Sequence, residues 1–106
     1  MLDFQKIQQG PEMTQQDIET TVISILKGHD ASRIGIFGSY ARGEANAESD
    51  LDLLVHFKTR KSLLTLVKIK RELTEALGIP VDLLTENAIS PHLIDHIKSE
   101  LRIIYQ

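Results

Sequence analysis

The 106 residues contain no cysteine and no tryptophan, only 5% aromatic side chains and only three prolines. Without cysteine there are no disulfides, no thiolate zinc site and no cysteine nucleophile. No apolar run approaches the ~20 residues that cross a bilayer, so no membrane segment is expected, and no charged-apolar signal sequence opens the chain. The cytoplasm is the expected compartment. An excess of positive charge is also missing: twelve Lys and Arg stand against fifteen Asp and Glu, a net charge of −3. That balance argues against the broad phosphate-binding face of a duplex binder, and strong nucleic-acid binding is not expected. The hydrophobic share of 42% and charged share of 25% are those of an ordinary globular protein. Residues 1–106 are expected to form one domain, too small to carry an active site and a separate specificity domain.

Regular structure is expected after a polar leader, residues 1–12, that ends at the Gly10-Pro11 punctuation and is read as loose or packed on a partner. Ile18, Val22, Ile25 and Leu26 recur at helical spacing between Thr14 and Gly28, and Thr14 with Asp17 resembles a capping box. "RIGIFGS" reads as a buried strand ending at Gly38, and "SYARGEA" as a turn or short helix stopped by Gly43. From Asp50 to Phe57 the chain alternates: Leu51, Leu53, Val55 and Phe57 face one way, and Asp50, Asp52, Leu54 and His56 the other. A long helix follows, with Leu63, Leu66, Val67, Leu73 and Leu77 expected on its apolar side and Gly78 past its end. "IPVDLLT" is a third strand, Ser90-Pro91 opens a last helix to about Glu100, and "RIIY" is a closing edge strand.

Side chains two apart on a strand lie roughly 7 Å apart at Cα and lean the same way, so Asp50 and Asp52 can close on cations between them. Asp82 sits in the next strand; if the two strands pair, a third carboxylate reaches the same spot. Two unit charges about 4 Å apart repel by about 4 kcal/mol at an effective dielectric near 20, a standing cost that a divalent cation turns into binding. All-oxygen ligands favour Mg²⁺ or Mn²⁺ over zinc, and such sites usually act on phosphates. Considered singly, Asp82 reads more readily as a solvated strand flank, and the Asp50 and Asp52 pair less so. Upstream, Gly38 permits a tight turn and a close approach to the backbone, while Ser39 and the N–H groups of the next turn supply donors for an anion. Gly-Ser, ten residues, then Asp-x-Asp should arise by chance in roughly one chain per thousand of this length, so the combination says far more than its parts.

"GSYARGEANAESDLD" resembles the G-S-x10-D-x-D signature of the DNA polymerase beta-like nucleotidyltransferase superfamily, and the small size points to its minimal nucleotidyltransferase (MNT) branch. "PVDLLT" stands where that branch carries its third aspartate. The resemblance implies an α/β (α+β) nucleotidyltransferase fold, a small mixed sheet with helices packed against it. It further implies transfer of a nucleoside monophosphate from an NTP such as ATP, with two Mg²⁺ ions and release of pyrophosphate. Many members are antitoxins paired with a HEPN-domain ribonuclease toxin, and some adenylylate a tyrosine hydroxyl on it. Carried over by position, Asp50 and Asp52 hold both metals and Asp82 joins them at the catalytic one. Gly38 and Ser39 hold the terminal phosphates, and Arg42 stands either at pyrophosphate or as a solvated surface residue.

The expected function is therefore an adenylyltransferase antitoxin that modifies and binds a HEPN toxin in a hetero-oligomer. Two alternatives are an antitoxin that neutralises by binding only, and a small-molecule (antibiotic) nucleotidyltransferase, for which the chain lacks an acceptor region. His92 and His96, four apart on a helix, have no third ligand of the usual kind nearby and are expected as an exposed or partner-facing ridge. Lys58, Arg60 and Lys61 read as a solvated basic stretch or a contact for an acidic partner or RNA, and Tyr40 as packed on the sheet or touching nucleotide. Leu93, Ile97, Ile103, Ile104 and Tyr105 are expected to be left for another chain to cover in part.

Overall fold

The computed structural model describes residues 13–106; the leader, residues 1–12, lies outside the described residues. Helix α1, Gln15–Lys27, starts where the capping box predicts: Thr14 Oγ1 accepts the Asp17 N–H at 3.0 Å, and Asp17 Oδ2 accepts the Thr14 N–H at 3.1 Å. Strand β1, Ala31–Phe37, then runs into the four-residue helix α2, Ser39–Arg42, closed by Gly43 in the left-handed conformation. Strand β2 is Leu51–Phe57, helix α3 Leu63–Leu77, and strand β3 Val81–Thr85. A 3-10 turn at Glu86–Ala88 leads to helix α4, Pro91–Glu100, which Ser90 caps, and to strand β4, Arg102–Tyr105. The order of elements matches the sequence reading throughout.

The strands form one mixed sheet in the order β3-β2-β1-β4, antiparallel except for the parallel β2/β3 pair. Period-two alternation gives it two unlike faces. Ile34, Ile36, Leu51, Leu53, Val55 and Val81 join Val22 and Leu26 of α1 and Ile69 and Leu73 of α3 in the main core. On the opposite face, successive rows across the strands are Phe37, Asp52 and Asp82, then Gly35, Leu54 and Leu84. That second face is covered in part by α4. Leu54 and Ile97 are buried there, and Leu101 lies so close over Gly35 that a side chain at Gly35 would collide with it.

Helix α3 departs from expectation. Its buried residues are Ile69, Leu73 and Leu77, while Leu63 and Val67, expected inside, are 77% and 48% exposed, as is Leu64 at 75%. The stripe that meets the sheet runs through Leu66, Ile69, Leu73 and Leu77, and Leu63 and Val67 lie off it. The C-terminal apolar residues also divide. Ile97 is buried, and Ile104 and Tyr105 pack against the core of their own chain, which leaves Leu93 and Ile103 exposed. No helix among the described residues is long and apolar enough to cross a membrane.

Candidate functional site

The parallel pairing of β2 with β3 places Asp52 directly opposite Asp82, on neighbouring strands about 4.8 Å apart. On the other side Asp52 is opposite Phe37, so the residue that follows, Gly38, arrives beside its carboxylate. Gly38 has φ 77° and ψ −154°, a conformation that disfavours any side chain, and a Cβ there would run into Asp52 Oδ2. The Gly-Ser turn and the Asp-x-Asp strand thus touch, although ten residues separate them in sequence, the rest of α2 and then a loop. That loop is tied by Asn46: its Oδ1 accepts the Glu48 N–H at 2.8 Å, and its own N–H donates to Ser49 Oγ at 2.9 Å.

Asp52 is half-buried, and its carboxyl is pushed up to about 6. Burial is the largest cause, followed by the charge of Asp82, a contact at hydrogen-bonding range with the Asp82 carboxyl, and the charge of Asp50; Arg42 pulls the other way. Asp52 and Asp82 are thus side by side, and the charge of Asp50 reaches Asp52 from the start of the strand. Among the described residues, however, no group of three or more His, Cys, Asp or Glu side chains is closed into a metal-ligand set. Asp50 is exposed at the start of the strand, and Asp82 Oδ1 stands 3.9 Å from Lys70 Nζ, a cation the sequence reading did not connect with it. The donor chemistry, all carboxylate oxygen, is of the kind that suits a hard divalent cation, with Asp52 half-buried beside Asp82.

Arg42 is exposed, and its guanidinium is held by two carboxylates, Glu44 at 2.9 Å and Glu100 at 3.1 Å. Glu100 also accepts the Gly38 N–H at 3.3 Å. Glu100 was not singled out by the sequence, and at 62 positions from Gly38 no local pattern signals the contact. Tyr40 packs against the core. His92 and His96 are exposed, and His96 Nε2 lies 3.8 Å from Glu100 Oε2. A cleft of about 720 Å³ lies at the other end of β2 and β3, lined by His56, Lys58, Arg60, Lys61, Leu63 and Glu86 among others, away from the carboxylates.

A glycine thus stands pressed against one of two register-paired aspartates, and comparison with known proteins shows the family in which the chain belongs. The sequence profile described as "Nucleotidyltransferase domain" matches residues 19–104. The chain belongs to this family. The nucleotidyltransferase domain is 50% identical over 88 residues to a Methanocaldococcus jannaschii protein named provisionally as a protein adenylyltransferase, covering 83% of this chain and 95% of that one. Among solved structures it resembles a toxin–antitoxin crystallised with AMP-PNP, with a TM-score of 0.77 and 24% identity over 82% of this chain and 72% of that one. It also resembles the complex of tri-AMPylated Shewanella oneidensis HEPN toxin with MNT antitoxin, with a TM-score of 0.73 and 22% identity over 87% of this chain and 72% of that one. At these identities the two structures speak for the fold, which is the nucleotidyltransferase fold that the sequence resemblance implies.

Proposed function

We propose that this nucleotidyltransferase moves AMP from ATP to a tyrosine hydroxyl of a HEPN ribonuclease toxin and so acts as its antitoxin. The observation that carries the proposal is the juxtaposition of Gly38, Asp52 and Asp82, because a phosphate-binding turn and a carboxylate cluster in contact are what metal-dependent transfer to or from a nucleotide requires. The 50% identical relative and the AMPylated toxin complex support the protein acceptor, and the AMP-PNP structure supports ATP as donor. Asp50, Asp52 and Asp82 would hold Mg²⁺ or Mn²⁺, which when bound neutralises charge developing on the attacking and leaving oxygens.

Gly38 and Ser39 bind the terminal phosphates, and Arg42 offers its guanidinium to them. Asp82 takes the proton of the acceptor hydroxyl. The hydroxyl oxygen then bonds to the α-phosphorus, the bond from that phosphorus to the bridging oxygen breaks, and pyrophosphate leaves with the electron pair. ATP labelled at either the α- or the γ-phosphorus tests this directly with the co-expressed toxin and antitoxin pair. Label from the α-position on the toxin and none from the γ-position is the expected result. Label from γ would make the protein a kinase, and label from neither would leave an antitoxin that works by binding only.

A further inference from the structure

The phosphate donors of the proposed site already carry an anion. Glu100, the last residue of α4, reaches across from the C-terminal part of the chain, with its side chain 22% exposed. Its Oε1 accepts the Gly38 N–H at 3.3 Å, and its Oε2 accepts from Arg42 Nη1 at 3.1 Å. One carboxylate thus spans the turn and the guanidinium that the nucleotide reading assigns to the terminal phosphates.

We propose that Glu100 is a resident anion of the nucleotide site, holding Gly38 and Arg42 in place in the nucleotide-free protein and displaced when the β- and γ-phosphates arrive. The inference rests on the nucleotide reading above. The single Gly38 N–H cannot serve a carboxylate and a phosphate oxygen at full strength together, and like charges in a half-buried space repel. A triphosphate brings more charge than one carboxylate, so it takes the donors over. The exchange is a side-chain swing, because the neighbouring Leu101 is anchored over Gly35. A nucleoside monophosphate has no group to place on these donors and gains nothing by displacing Glu100, so the contact sets the preference between triphosphate and monophosphate.

The test is calorimetric titration of the full chain with Mg²⁺·AMP-PNP and, separately, with AMP, for the wild type, Glu100→Gln and Glu44→Gln. Glu100→Gln should tighten AMP-PNP binding by roughly two- to fivefold, the scale of one partly screened charge interaction, and leave AMP unchanged. Glu44→Gln removes an equal charge from Arg42 but nothing from Gly38, and should change AMP-PNP binding less than twofold. If Glu100→Gln fails to fold by circular dichroism, Glu100→Asp, whose shorter side chain withdraws from the donors, carries the same directional prediction. Equal or weaker AMP-PNP binding in a folded variant overturns the resident-anion role while leaving the nucleotide reading intact. Absence of AMP-PNP binding in every protein, wild type included, overturns both.

Discussion

Neutralising Asp52 should stabilise the metal-free protein. Its carboxyl has an ordinary value of 3.8 and is raised to about 6 in the folded chain, mainly by burial and by the neighbouring Asp82 charge. A carboxyl raised on folding binds its proton more tightly in the folded than in the unfolded state, so stability falls as pH climbs through that window and the full cost is present above about pH 6. Two units at 1.36 kcal/mol each set a ceiling of about 3 kcal/mol. Because the side chain is only half-buried, solvent screening brings the expected cost to about 1 kcal/mol. Asp52→Asn should therefore raise Tm by about 4–8 °C in a domain of this size. The assay is thermal melting by circular dichroism with EDTA at pH 8, repeated at pH 5, where the gain should shrink because the wild-type carboxyl is by then largely protonated. With Mg²⁺ and AMP-PNP the order should reverse, since the wild type alone keeps its full ligand set. A variant that melts at or below the wild type in EDTA at pH 8 would refute the reasoning.

Two further substitutions test the packing and the turn. Ile69→Ala, at a fully buried position of α3, should cost about 2–5 kcal/mol in chemical denaturation, whereas Leu64→Ala on the exposed flank should stay within ~0.5 kcal/mol; comparable losses at both would misplace the helix face. Gly38→Ala combines a left-handed backbone with a collision against Asp52 and should cost about 1–3 kcal/mol, together with nucleotide affinity. An unchanged melting temperature and unchanged AMP-PNP titration would show that the turn is not constrained as described.

Local signals carried most of the fold. The reciprocal Thr14 and Asp17 bonds, the left-handed Gly43 and Gly78 stops and the Ser90-Pro91 start are short-range chemistry, written within a turn of where they act. The aspartate strand was legible through its alternation, and Asp82 could be aligned with it only on the assumption that β2 and β3 pair. Helix α3 was harder, because "LLTLVKIK" offers overlapping apolar stripes and the sheet alone decides which is covered. Leu54 is buried, although it shares a face with the aspartates, because α4 folds back over that face from about forty residues downstream. The same long-range return delivers Glu100 to Gly38 and Arg42, a contact that no spacing rule along the chain predicts.

The central claim is that Asp52 serves group transfer and not the fold alone, and intact-mass spectrometry of the HEPN partner tests it most directly. Partner purified after co-expression with the wild type, or incubated with it, ATP and Mg²⁺, should gain mass in steps of one adenylyl group. Partner treated with Asp52→Ala should gain none while still binding the antitoxin, because the apolar face built from Leu51, Leu53 and Val55 points away from the site. Adenylyl additions that persist with Asp52→Ala, or toxin fully neutralised by wild type and variant alike with no added mass in either, would contradict the account.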